Sequence, residues 1–210
     1  MFVWDDAFHF GTAGLQARDF DLAGLGDVDL LVTSGLDDAE VTSRPWDGRA
    51  EVVDIAPSAL ATAAAGRTLP KGSLDRPALY TELAAVVGPL YTSTARPEPA
   101  AKRAAALAAS LPEGGLVVAE PGLVGFWIAR TFPTSVPGSV VVPATGGPKA
   151  AWRAAIDGAV SGRAVTLVAD TPPPAEVTAG GVAVELWGDG TVDLDPAVLV
   201  AVAGDIVAWV

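Results

Sequence analysis

Short apolar runs set between alanine-rich stretches constrain this chain more than any other feature. The runs are LVVA (Leu116–Ala119), SVVV (Ser139–Val142), AVTLVA (Ala164–Ala169) and VAVELW (Val182–Trp187). A strand with one wet face alternates apolar and polar residues. A strand covered on both faces reads as a nearly unbroken apolar run. The stretches Ala100–Leu111, Leu123–Phe132 and Pro148–Val160 have helical length, and two are rich in alanine, the best helix former. Pro148 suits a first helical turn, where no N–H is needed. Strands alternating with helices of this length predict an α/β fold of parallel sheets flanked by helices. A last helix is expected over Pro196–Ala203 and a last strand over Asp205–Val210.

The same alternation occurs earlier. DVDLLVTSG (Asp27–Gly35) and AEVVDIAP (Ala50–Pro57) read as strands around an acidic loop, Leu36–Gly48. Ser58–Gly66 can form a short helix, capped by Ser58 and ended by Gly66. Asp75–Val87 is amphipathic, with Leu79, Leu83, Val86 and Val87 at helical spacing. GPLYTSTARPEP (Gly88–Pro99) mixes Gly, Pro, Ser and Thr and reads as a linker. Two small Rossmann-like units are therefore expected, 1–90 and 100–210, joined across 88–99.

Charge and composition exclude several function classes. Acids outnumber bases 25 to 13, for a net charge of −12. Nucleic acid and anionic lipid require a positive footprint, and no Lys/Arg cluster supplies one. The six tryptophans do not alternate with basic residues, so they read as core or interface anchors. No apolar run approaches the roughly 20 residues of a membrane span. The start, MFVWDDAFHF, does not read as a secretory signal, and a cytoplasmic protein is expected. Cysteine is absent and His9 is the one histidine, which removes thiolate nucleophiles and Cys- or His-rich metal sites. His9 has Asp5 and Asp6 nearby but no nucleophile motif to serve, and it reads as a partly buried side chain.

Open α/β sheets hold ligands beyond the carboxyl ends of their strands. The residues at those ends are Ser34-Gly35, Asp54, Glu120-Pro121-Gly122, Pro143–Pro148 and Asp170. Glu120 and Gly122 lie between a strand and a helix start, where backbone amides can hold an anion; an acid in an ordinary turn, favoured by the helix dipole, is the simpler account. Gly146 and Gly147 precede a helix and could approach a phosphate. They lack both the Lys-Ser/Thr of a P-loop and the G-x-G-x-x-G spacing, and an ordinary turn fits them too. Gly188-Asp189-Gly190 resembles the start of a calcium loop without its D-x-D-x-D-G spacing, and Asp-Gly is common turn chemistry.

In its order of segments the chain resembles the thiamine-diphosphate-dependent decarboxylases and synthases of the acetolactate synthase type. FHFG, DVDLLVTSG and AEVVDIAP are similar to the second half of that family's central domain. LVVAEPG, FWIARTFPTSVPGSVVVPATGG and AAIDGAVSGRAVTLVAD are similar to the start of its diphosphate-binding domain, over roughly Phe8 to Asp170. The resemblance implies cofactor contacts at Glu120, Gly122, Gly146, Gly147 and Asp170. It fails where the metal would sit. The family's G-D-G is Ala169-Asp170-Thr171 here, and three prolines follow. Proline has no N–H, and side chains replace the glycines that permit close approach. The chain has no asparagine, the residue type of the family's second metal ligand. The 20 residues after Gly190 leave no room for Gly188-Asp189-Gly190 to replace the motif, and a pyrimidine-binding domain has no counterpart. The expectation is an accessory, non-catalytic protein. It would have no catalytic residues, no metal and no cofactor, with thiamine diphosphate and Mg²⁺ held only if a partner chain completes the site. It would act as a homo-oligomer or as a partner's subunit. Two alternatives are one subunit of a split thiamine-diphosphate enzyme and an unrelated binder of small anions.

Overall fold

Four parallel strands order the centre of the molecule. The computed structural model describes residues 14–22, 28–35, 50–59, 78–134 and 138–207. The strands are β4 (Leu116–Ala119), β5 (Val140–Val141), β6 (Val165–Ala169) and β7 (Ala183–Leu186), in the spatial order β5-β4-β6-β7. Helices α4 (Leu123–Thr131), α5 (Gly147–Val160) and α6 (Ala175–Ala179) make the three successive crossovers. From β4 the chain first moves one way, to β5. It then crosses back through α5 to β6, on the other side of β4. The direction of winding therefore reverses between β4 and β6.

The continuous apolar runs follow from this layering. Val117 and Ala119 of β4 and Val168 of β6 point into one buried cluster, with Phe126, Trp127 and Ile128 of α4. Leu116 and Val118 of β4 and Leu167 and Ala169 of β6 point the other way, onto Ala151 and Ala155 of α5 and Val177 of α6. Alternate residues face opposite sides of a strand, so both sides must be apolar when helices cover both. Gly158 lets α5 lie close to the sheet: a Cβ there would come within 2.7 Å of Leu116 and 3.1 Å of Val165.

The first cluster extends well beyond the sheet's own crossovers. It takes in Leu83 and Val87 of α2 (Ala78–Thr92), Ala101, Ala104 and Leu107 of α3 (Ala100–Ser110), and Leu199 and Ala203 of α7 (Ala197–Ala203). Two residue pairs, β3 (Glu98–Pro99) and β8 (Val192–Asp193), run parallel beside them. The stretch read as a linker, 88–99, supplies the last turn of α2 and then β3. Tyr91 fastens that turn to α4, its hydroxyl donating to the Thr131 carbonyl at 2.8 Å.

The segment 14–22 also belongs to this packing. Leu15 is in the same buried cluster. Gln16 pairs with Ile206, and its side-chain amide donates to the Leu199 and Gly204 carbonyls, each at 2.9 Å. This single antiparallel bridge stands where a strand was expected over Asp205–Val210; residues 208–210 lie outside the described residues. Asp19, which opens α1 (Asp19–Leu22), is fully buried. Its carboxylate accepts from the Leu15 and Gln16 amides and from Arg130 Nη2 at 2.8 Å.

Between α1 and α2 lies a separate pair of parallel strands, β1 (Leu30–Thr33) and β2 (Glu51–Asp54). A 3₁₀ turn at Pro57–Ala59 follows β2. The rest of the helix expected over Ser58–Gly66, the start of the one expected over Asp75–Val87, and the acidic loop Leu36–Gly48 lie outside the described residues. The short helix α6, after Pro172–Pro174, was not foreseen from the sequence.

Candidate functional site

The reversal between β4 and β6 is where a doubly wound sheet opens a crevice for ligands at its carboxyl edge. β4 runs directly into Glu120, and β6 directly into Asp170. Gly122 caps the N-terminus of α4 with φ +99°, and Gly146 that of α5 with φ +84°. Gly147 follows with φ +60°. These left-handed conformations suit glycine, which explains the three glycines without a ligand. Glu120, Gly122, Gly146, Gly147 and Asp170 therefore gather at one edge of the central sheet, whereas Ser34-Gly35 and Asp54 end the separate β1–β2 pair.

Their contacts are internal. Glu120 is 1% exposed, unusual for an acid, and each carboxylate oxygen has a donor. Trp152 Nε1, on α5, donates to Oε1 at 2.6 Å, and the Asp170 backbone amide donates to Oε2 at 2.8 Å. The carboxylate thus ties the end of β4 to the end of β6 and to the helix above them. It is buried at the strand ends where such a crevice would open. A buried acid with its donors satisfied costs far less than an unpaired one.

Asp170 is held from its other side. The carbonyl and one carboxylate oxygen of Asp170 lie against Gly188, where a Cβ would overlap both. The amide of Trp187 donates to the Ala169 carbonyl at 2.9 Å. Here glycine is required by close approach. The turn Gly188-Asp189-Gly190 closes on itself: Asp189 Oδ1 accepts from the Thr191 amide at 2.9 Å and from its hydroxyl at 2.6 Å. The bond from the Thr191 hydroxyl, then that from its amide, lower the Asp189 pKa. This is a turn held by its own side chain, as plain Asp-Gly chemistry predicts.

These residues do not fit a magnesium diphosphate. Glu120 would place a negative charge beside the phosphates, and Asp170 is packed on Gly188. Among the described residues no group of three or more His, Cys, Asp or Glu could hold a metal ion. At the ends of β1 and β2, Thr33 donates to Asp54 at 2.8 Å. Trp127 and Trp187 are buried anchors, Trp127 Nε1 donating to the Leu194 carbonyl at 3.0 Å. His9, Asp5, Asp6, Trp4, Trp46 and Trp209 lie outside the described residues. Nothing in the residue pattern signals that Trp152 meets Glu120, or Arg130 Asp19. The partners are 32 and 111 residues apart, and only the folded topology brings them together.

No family model, curated protein or solved structure matches the chain. Among the described residues no helix is long and apolar enough to cross a membrane.

Proposed function

We propose that this chain is an accessory α/β protein that acts by associating with another polypeptide, in the first place a second copy of itself, and not by catalysis. The β1–β2 pair carries this reading. Parallel strands occur almost only where both faces are covered. In this pair Leu30 and Val32 are each 44% exposed, Val53 39% and Val52 46%. By register Leu30, Val32 and Val53 share one face and Val52 lies on the other. Apolar side chains grouped on an exposed sheet face favour contact with a partner.

The resemblance to thiamine-diphosphate enzymes enters the proposal as the origin of the scaffold. The carboxylate of Glu120 in the crevice argues against the cofactor there, and equally against a free anion beside Gly122, Gly146 and Gly147. A cytoplasmic setting is part of the same proposal.

The absence of cysteine makes a direct test possible. Val53→Cys introduces a single thiol, and a short bismaleimide should link two chains through it in high yield. A second variant, Val160→Cys, places the thiol at the C-terminal end of α5, away from β1 and β2 in sequence, at a valine 81% exposed and should yield little dimer. Equal yields from the two variants, or none from the first, would refute self-association through this pair.

A further inference from the structure

At the amino edge of the central sheet, opposite Glu120, lies an open cleft of about 150 Å³. It sits where β5, β4 and β6 begin. Ala108 and Leu111, at the end of the α3 segment, and Phe132, just after α4, give it an apolar side. Arg163, Glu113 and Ser139 give it a polar one. We infer that this cleft binds a small monocarboxylate with a compact apolar body, the carboxylate against Arg163 and the body against Phe132 and Leu111.

The guanidinium of Arg163 is fixed in place. Nε donates to the Gly114 carbonyl at 2.8 Å, and Nη2 to those of Gly115 at 2.7 Å and Gly138 at 2.9 Å. All three acceptors are neutral. Among the described residues no carboxylate pairs with Arg163, although acids outnumber bases 25 to 13 in the chain. Nη1 keeps its two N–H groups for a further acceptor, and a carboxylate is the acceptor such a cation binds most strongly. A guanidinium already immobilised by three bonds loses little further freedom when it binds. The size of the apolar body follows from the volume, since a protein cavity of about 150 Å³ accommodates benzene. Glu113 also lines the cleft, and its carboxylate makes each added negative charge on the ligand costlier, which favours a monoanion over a dianion.

Benzoate is the probe, followed by ¹H–¹⁵N correlation spectra of the full chain. Saturable shifts are expected at the Gly114, Gly115 and Ser139 amides, with a dissociation constant on the order of a millimolar for so small a ligand. Benzylamine, with the same ring and the opposite charge, should produce no saturation. Arg163→Gln should weaken benzoate about tenfold or more, the scale of a lost charge-assisted hydrogen bond. Arg163 also ties its own turn to the loops at Gly114-Gly115 and Gly138, so Ala108→Leu provides a second variant: it fills the cleft from a helix, keeps Arg163, and should abolish the shifts. The inference fails if benzoate does not saturate at tens of millimolar, if benzylamine matches it, or if Ala108→Leu binds as the parent does. Each of these outcomes leaves the association proposal untouched, because the cleft and the β1–β2 pair share no residue.

Discussion

Glu120 explains more of this molecule than any other single residue. An acid 1% exposed ends a strand at the sheet's reversal point and accepts from Trp152 and from the Asp170 amide. Both partners are donors, so the side chain must be an acceptor at both oxygens. Glu120→Gln preserves shape and removes one acceptor, turning an amide N–H₂ toward a buried donor. A buried donor left without its partner costs roughly 1–3 kcal/mol. Urea unfolding should therefore show a loss of about 2 kcal/mol with an unchanged m-value. A change below about 0.5 kcal/mol, typical of an unconstrained surface position, would mean that this carboxylate does not hold the strand ends together.

At the scale of elements, most of the framework was legible because two-sided burial leaves a mark on composition. LVVA and AVTLVA are apolar at nearly every position for one reason, helices on both faces, and the helices between them stand close to their expected limits. What escaped the sequence was set by distant partners. Gly88–Thr92 has linker composition, yet it forms the end of α2 because Leu83 and Val87 bury against α3 and α7, and propensity yields to such packing. The gathering of Glu120, Gly122, Gly146 and Asp170 at one edge followed from strand-end logic. That Glu120 would be buried there with both oxygens bonded did not, because it depends on Trp152 from α5.

The α2–α4 contact has its own pH signature. Burial raises the Tyr91 pKa above the ordinary 10.0, since the charged phenolate is poorly solvated there. The stability linked to this group is whole below pH 10.0 and is lost as pH rises through the higher folded value. Tyr91→Phe should remove this alkaline loss while costing stability at neutral pH through the unpaired Thr131 carbonyl. Unfolding curves measured from neutral to strongly alkaline pH would show the difference between the two proteins shrinking as pH rises. A constant difference would contradict the assignment.

At the scale of the whole molecule, the described residues nearest each end of the chain are joined. Gln16 reaches the Leu199 and Gly204 carbonyls, and Asp19 is bound to Arg130 of α4 in a buried ion pair. The β1–β2 pair is thus inserted between two segments, 14–22 and α2, that pack into the same cluster as α3, α4 and α7. Among the described residues neither buried cluster includes the pair's exposed valines and leucine, and in the proposed association they meet a partner. Sedimentation velocity across a range of concentrations, on the parent and on Val32→Asp/Val53→Asp, tests this most directly. The proposal predicts twice the chain mass for the parent and the single chain mass for the variant, with the variant's thermal unfolding little changed. A parent that sediments as a monomer at every concentration, or a variant that keeps the parent's mass, would contradict it.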